Sequence, residues 1–237
     1  MRVYVKKIND YLFAKGKVFA KGFCKEKLFF MFLFGCIFGC VWEELLTLID
    51  TFKRFGVPMW ETRRGVLYGE LSPIYGFGCV LLLVILMHKK RNFFEYFAIG
   101  ALIGGVYEYF MSFLQEKLTG AVSWDYSTLM LNINGRTTIP FMAFWGLLSV
   151  IFVYVFYPLV SHFIEKIPYN FGQLLYHVLV IIVSLDLVIT YAAVARQTLR
   201  NAGYPPYTPV GRTLDKYYPN ERIAKAFVNA QFKDKNE

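Results

Sequence analysis

Long apolar runs alternate with short polar connectors along most of the chain. The runs cover residues 28–49, 73–87, 93–114, 139–160 and 174–193. A helix needs roughly 20 apolar residues to cross a hydrocarbon core of ~30 Å, and most of the runs reach that length. The pattern predicts an all-α fold, a polytopic membrane helix bundle with about five transmembrane helices.

Small residues recur at helical spacing in two of these runs. Gly35 and Gly39 lie four positions apart in the first run, as do Gly100 and Gly104 in the third. Membrane helices approach each other closely where small residues line one face. We therefore expect these faces to pack helices of the same chain together. The second run opens at Pro73 with two glycines close behind, which predicts a helix that begins irregularly inside the protein.

The flanks of the apolar region are basic and polar. Residues 1–27 interleave lysines with apolar side chains, which predicts an amphipathic segment on the membrane surface; a flexible basic tail is the alternative. Residues 28–194 are the predicted transmembrane bundle, and residues 195–237 a polar C-terminal tail with a short helix over 221–227. We expect a multi-pass protein of the cell membrane.

Composition supports a membrane protein and narrows its partners. Apolar residues make up 56% of the chain, and the mean hydropathy is +0.40, which is high for a soluble domain. The formal net charge of +9 comes mostly from the two ends and the connectors. Lysine and arginine collect there when they meet anionic lipid headgroups. The lipid bilayer is therefore an expected partner, and nucleic acid is not.

The four cysteines, Cys24, Cys36, Cys40 and Cys79, lie in or beside apolar runs. They lack the paired spacing of a metal-binding knuckle, so they predict packing residues and no disulfide framework. We expect neither a metal site nor a cofactor.

A polar and aromatic connector, residues 123–136, lies between the third and fourth runs. It gathers an acid, two asparagines, an arginine, a tryptophan and a tyrosine. Connectors with this chemistry usually bind something. The alternative is an interfacial loop whose aromatic rings lie at headgroup level.

Successive spans alternate in direction. The end of the first span, the start of the second, the end of the third and the start of the fourth therefore share one membrane face. Polar residues lie at each of these places, so we expect them to form a single site. Its predicted members are Glu43, Arg64, Tyr75, Glu108, Glu116, Trp124, Asp125, Tyr126, Asn132, Asn134 and Arg136.

The cost of burying a charge predicts ion pairs within this site. An ionised side chain that faces lipid near a helix centre costs ~2.5–3.5 kcal/mol, so Glu43 and Glu108 should face inward and pair with Arg64 or Arg136. The most specific prediction joins Glu108 to Arg136, directly or through Asp125. Structural ion pairs that fasten the helices are the alternative.

Asp186 lies late in the fifth run. We expect it at a helix interface or paired with Arg196, and a proton site is the alternative.

Four motifs along the chain resemble those of a known family. They are residues 38–43, residues 64–69 with 73–78, residues 108–109 with 116–117, and residues 124–127 with 132–136. Together they are similar to the bacterial membrane family labelled putative ABC-transporter type IV, whose pattern the animal proteins called transmembrane protein 229 share. The resemblance covers about residues 35–158. Glu70 stands where the family tends to have proline.

Three functions are compatible with these observations. The resemblance implies an ABC-transporter permease-like component, and the chain lacks the Gly-x-x-x-x-Gly-Lys-Ser/Thr loop that cradles phosphates, so an ATP-binding subunit would be a separate chain. The ligand would be a small molecule or a lipid.

The second function is a membrane-embedded enzyme that acts on a lipid or isoprenoid head group. Glu108 or Asp125 would serve as general base, Arg136 would hold a phosphate or carboxylate, and the two asparagines would donate hydrogen bonds. The motif face has no Ser–His or Cys–His arrangement, so no catalytic residue is assigned. The third function is a non-catalytic membrane scaffold.

Overall fold

The computed structural model describes residue 12, residues 16–228 and residues 230–232. Residues 1–11 and 13–15 of the predicted N-terminal amphipathic segment lie outside this range. The helices are α1 (Lys25–Phe55), α2 (Pro73–Leu86), α3 (Phe93–Thr119), α4 (Ile139–Ile151), a π-helical stretch (Phe152–Phe156), α5 (Tyr157–Glu165), α6 (Tyr169–Asn201), α7 (Pro209–Tyr217) and α8 (Asn220–Ala226). The strands have two residues each: β1 (Ala121–Val122), β2 (Asn132–Ile133), β3 (Thr137–Thr138) and β4 (Gln231–Phe232).

The predicted all-α membrane bundle is confirmed. The helices α1, α3 and α6, and the continuous run from α4 to α5, are long and apolar enough to cross a membrane. The predicted second span differs, because α2 has 14 residues and is ~21 Å long, which is less than a hydrocarbon core of ~30 Å. The short helix over 221–227 that we predicted is present as α8.

Close helix approach at glycine holds the bundle together. Gly39 of α1 lies directly against the ring of Tyr75 in α2, and Gly104 of α3 lies against Trp145 in α4. A methyl group at either glycine would overlap the aromatic ring. The small-residue faces therefore pack helices within the chain, as predicted.

The main apolar core lies at the end of the bundle away from the polar motifs. Its buried members include Phe30 and Met31 of α1, Leu83 of α2 and Ile164 of α5. Lys27 is fully buried at the same end, where its ammonium group lies 2.6 Å from Glu165. The polar motifs therefore lie at the other end of the bundle, away from this core.

Between α1 and α2 the chain returns along α1 without regular structure. We call residues 57–72 the return segment. Its last amide, that of Ser72, donates to the carbonyl of Cys36, which lies roughly 16 Å along α1 from its first residue. The chain thus re-enters the bundle to half the depth of α1 before α2 begins, which explains why α2 is short.

The backbone amides of the return segment find acceptors on α6. Leu67 donates to the hydroxyl of Thr190 at 2.9 Å, and Tyr68 donates to the carboxylate of Asp186 at 3.2 Å. Irregular backbone at membrane depth is tolerated where protein groups satisfy it. Asp186 therefore lies at a helix interface, as expected, but it does not pair with Arg196, whose guanidinium instead binds Asp215.

Replacing Thr190 with valine should destabilise the return segment. The substitution keeps the side-chain shape but leaves the buried Leu67 amide without an acceptor, at a cost of ~1–3 kcal/mol. Thermal unfolding in lipid nanodiscs measures the loss. Thr198→Val is the matched control on α6, because Thr198 donates only to the carbonyl of Val194 in its own helix. Equal losses in the two variants would contradict this account.

Candidate functional site

The connector after α3 folds into a compact loop, which we call the motif loop (residues 120–138). Strands β2 and β3 pair antiparallel within it, and Asn134 and Gly135 turn the chain with φ of 52° and 67°. Both residue types tolerate positive φ better than most. The tight turn directs the residues of β3 back toward α3.

Three predicted site residues hold the motif loop itself. The Trp124 indole donates to the carbonyl of Arg136 at 2.9 Å. Asp125 accepts from the amide of Ser127 at 2.8 Å, and the Asn132 side chain bonds three backbone groups of the loop. In the structure these three side chains hydrogen-bond to the backbone of the loop and shape it.

Glu108 of α3 is the buried acid around which the loop closes. Its side chain accepts hydrogen bonds from the hydroxyl of Tyr126 at 3.0 Å and from that of Thr137 at 2.6 Å. The Tyr126 ring stacks on Phe141 at the start of α4, with ring centroids 4.6 Å apart. The loop therefore presents two uncharged donors to one carboxylate at the end of the bundle.

A second carboxylate lies beside this group. Glu43 of α1 accepts a hydrogen bond of 2.5 Å from the hydroxyl of Tyr75 in α2. Tyr75 lies near Glu108 and Tyr126, and Tyr126 in turn lies near Glu43. We call Glu43, Tyr75, Glu108, Tyr126 and Thr137 the polar cluster. Four of these five residues were predicted site members.

Burial raises the pKa of Tyr126 above its ordinary value of 10.0, and the neighbouring charges of Glu108 and Glu43 raise it further. The phenol therefore stays protonated in the folded protein and remains a hydrogen-bond donor to Glu108. A donor in this position stabilises the ionised form of the carboxylate.

Arg136 does not join Glu108, which corrects the most specific prediction from the sequence. Its guanidinium pairs with Glu116 and donates to Ser112 at 3.2 Å, and it lies over the rings of Tyr109 and Phe113. Neighbouring residues of an extended chain point to opposite sides. Because Thr137 points to Glu108, Arg136 faces Glu116, ~12 Å farther along α3.

The remaining predicted members lie outside the polar cluster. Asn134 donates to the hydroxyl of Tyr109 at 3.0 Å. Arg64 lies in the return segment, 3.7 Å from Glu70, and within the described residues its buried Nε has no acceptor. The expected pairing of Glu43 with Arg64 is also wrong. Arg64 lies beside Glu70, and the cation that acts on Glu43 is Arg63.

Sequence reasoning missed Thr137, Ser112 and Tyr109. Thr137 directly follows the predicted Arg136, so its place beside the site was readable, but its role as donor to Glu108 depends on the register of β3. Ser112 lies one turn after Glu108 along α3, where residues four apart share a face, and Tyr109 directly follows Glu108 in one of the quoted motifs. That spacing was a usable signal.

One further group of side chains has the donor atoms of a metal site. Cys40, Glu44 and Glu70 bring a sulfur and two carboxylate oxygens within 4.8 Å of one another. The thiol lies 3.5 Å from Glu44 and 3.8 Å from Glu70, and Thr62 donates to Glu70 at 2.7 Å. These hydrogen bonds account for the arrangement without an ion, and the expected absence of a metal stays a prediction.

A double-mutant cycle separates the two possible partners of Arg136. Glu116→Gln and Arg136→Gln should show a coupling energy of ~0.5–3 kcal/mol, because the two groups form a partly buried pair. Glu108→Gln and Arg136→Gln should be additive within about 0.5 kcal/mol. Thermal or denaturant unfolding in nanodiscs measures both cycles. Strong coupling between Glu108 and Arg136 would restore the original pairing.

Replacing Tyr126 with phenylalanine should flatten the alkaline loss of stability. A raised folded pKa means that the contribution of Tyr126 is complete below the unfolded pKa of about 10 and is lost as pH rises through the folded pKa. Thermal unfolding from about pH 8 to pH 11 measures the slope. Tyr207→Phe is the control, since Tyr207 is exposed. Identical slopes in both variants would exclude this role.

One protein family matches most of the helix bundle. The sequence profile of the family described as putative ABC-transporter type IV matches residues 30–191. This range contains α2 to α5, nearly all of α1, the return segment, the motif loop and two thirds of α6. It extends past the residues 35–158 on which the resemblance rested. No curated protein and no solved structure matches the chain. The matched range exceeds half of the sequence, and the chain therefore belongs to the family described as putative ABC-transporter type IV.

Proposed function

We propose that this multi-pass membrane protein is a permease component of the cell membrane whose polar cluster receives a proton or a cationic group of the substrate. The observation that carries the proposal is the setting of Glu108. It is 9% exposed in an apolar helix, and the groups that donate hydrogen bonds to it are uncharged: the hydroxyls of Tyr126 and Thr137 and the side chain of Trp145. Intramembrane carboxylates that face a protein interior commonly mark ion or substrate pathways.

The charge balance of the cluster favours a positive ligand. Hydroxyl donors stabilise a carboxylate but leave its charge in place. Glu43 and Glu108 therefore supply up to two negative charges, and the guanidinium of Arg136 is held by Glu116. Arg63 compensates part of the charge of Glu43. A proton or an ammonium group between the two carboxylates would complete the compensation.

Transport driven by ATP would need a second protein. The sequence has no phosphate-binding loop, so we propose a separate ATP-binding subunit that docks on the bundle. The family description is consistent with such a division of labour. The ligand itself would reach the polar cluster from the membrane face that carries the motif loop.

An enzyme acting on a lipid head group is the second candidate, and the buried Nε of Arg64 favours it. A buried donor without an acceptor in the described part of the chain costs ~1–3 kcal/mol, so such groups often meet water or a ligand. A head-group phosphate is a suitable acceptor for a guanidinium. The pair of Glu43 and Tyr75 would then supply the proton transfer.

Ligand-dependent stability tests the permease proposal. The full chain in nanodiscs is heated with sodium, potassium, magnesium or spermidine, and across a range of pH. A ligand present at 100 times its dissociation constant stabilises the folded state by ~2.7 kcal/mol. We expect at least one cation or the proton to raise the melting temperature of the wild type. Glu43→Gln and Glu108→Gln should each remove that response.

Asp50→Asn is the matched control. Asp50 pairs with Arg54 on the exposed surface of α1, where such pairs contribute little, so this variant should keep the response. Copurification of an ATP-binding protein with the wild type would support transport further. Conversion of an added phospholipid without any cation response would favour the enzyme. A protein that shows neither effect and binds a fixed partner would be a scaffold, and the permease proposal would be abandoned.

A further inference from the structure

The C-terminal part of the chain is folded against the bundle. We call residues 203–232 the C-terminal strap, of which the structure describes residues 203–228 and 230–232. It follows α6 and lies beyond the family match, which ends at residue 191. The helices α7 and α8 both contact α6. The strap therefore adds a layer over the end of the bundle that carries the polar motifs.

A charged clasp fixes the strap to α6. Asp215 of α7 binds the guanidinium of Arg196 with both oxygens, at 2.8 Å and 2.9 Å, and that of Arg200 at 2.5 Å. The Arg196 side chain is only 7% exposed. The hydrogen bonds from Arg196 and Arg200 hold the pKa of Asp215 below its usual range. Bidentate pairs of this kind are among the stronger hydrogen-bonded contacts.

The strap also holds the return segment. The hydroxyls of Tyr68 and Tyr218 lie 2.8 Å apart, and the Arg222 guanidinium lies over both rings. Below them, Ile223 is buried in a small apolar cluster with Leu67 of the return segment. These contacts press the return segment onto α6, where its amides find their acceptors.

The far end of the strap reaches the motif loop. Strand β4 pairs antiparallel with β1, so that Ala121 lies opposite Phe232 and Val122 opposite Gln231. Strand β1 directly follows α3 and leads to Tyr126. The strap thus contacts both segments that place the tyrosines of the polar cluster, since the return segment leads to Tyr75.

We infer that the C-terminal strap is a releasable cover that couples the return segment to the motif loop and controls access to the polar cluster. Few buried apolar residues hold it, and Ile223 and Ala226 are its fully buried apolar members among the described residues. Elements with little buried apolar surface open at low cost while the core stays folded. The role of the strap in gating rests on the proposed function. Its attachment through the charged clasp, and its release when that clasp is broken, do not.

Breaking the clasp in the full-length protein tests the inference. Asp215→Asn removes the charge that the two arginines bind, and Glu221→Gln at an exposed position of α8 is the matched control. Hydrogen–deuterium exchange in nanodiscs reports on the peptide that contains the Leu67 and Tyr68 amides. We expect Asp215→Asn to accelerate exchange there by at least about tenfold, with α3 and α4 unchanged and the control equal to wild type.

Access to the polar cluster is measured by thiol labelling. Thr137→Cys places a thiol at a buried position beside Glu108. Labelling of the protein without this substitution is measured in parallel and subtracted, because the chain has native cysteines. Adding Asp215→Asn should speed labelling by a maleimide about tenfold, in line with opening of a local element. Unchanged exchange in the return segment, or unchanged labelling, in a folded Asp215→Asn protein overturns the inference.

A crosslinked variant gives an answer if Asp215→Asn fails to fold. Val122→Cys with Gln231→Cys places two thiols on paired antiparallel residues, whose Cα separation of ~4.5–5.5 Å suits a disulfide. Oxidation should slow exchange of the Leu67 peptide relative to the reduced protein. No slowing, with the bond verified by mass, overturns the inference. Neither readout uses cation binding, so failure of the strap and failure of the permease proposal are separate results.

Discussion

The structure depends on one constraint, which is that every backbone group at membrane depth must find its partner inside the protein. A helix meets this demand by itself, but the return segment does not. It meets the demand by borrowing acceptors: the hydroxyl of Thr190, the carboxylate of Asp186 and the carbonyl of Cys36. An aspartate inside a helix long and apolar enough to cross the membrane is thereby explained without a catalytic or proton-carrying role.

The same constraint shapes the polar cluster, with a different outcome. The return segment delivers the chain to α2 at half the depth of α1, and this places Tyr75 opposite Gly39 and within reach of Glu43. Had α2 begun beside the end of α1 at Phe55, Tyr75 would not lie opposite Gly39. The irregular segment therefore sets the position of the first carboxylate–tyrosine pair, and the motif loop sets that of the second.

Hydropathy and alternation of direction were sufficient to predict the bundle and to place Glu43, Tyr75, Glu108 and Tyr126 at one end of it. Both are coarse properties that depend on segment length. The partner of each charge depends on finer detail: a shift of one residue in β3 would exchange Arg136 for Thr137 at Glu108. The sequence pattern carries no such register. The clasp was missed for another reason, since a proline-rich polar stretch resembles a tail unless its acidic residue is matched with Arg196 and Arg200.

Different contacts hold the helix bundle, the return segment with the motif loop, and the C-terminal strap. These contacts differ in how easily they separate. Glycine-mediated packing between α1 and α2 and between α3 and α4 buries large rings and opens only when the bundle unfolds. The return segment and motif loop depend on hydrogen bonds whose loss leaves buried polar groups unpaired, which opposes opening but leaves the helices intact. The strap depends on the ion pairs of Asp215 with Arg196 and Arg200 and on the buried side chains of Ile223 and Ala226, so it buries little apolar surface. Elements that bury little apolar surface open at low cost, so the inferred order of opening begins with the strap, which contacts the return segment and the strand that leads into the motif loop. A site that must exclude water at rest and admit a ligand on demand is well served by a cover that opens more easily than the walls beneath it.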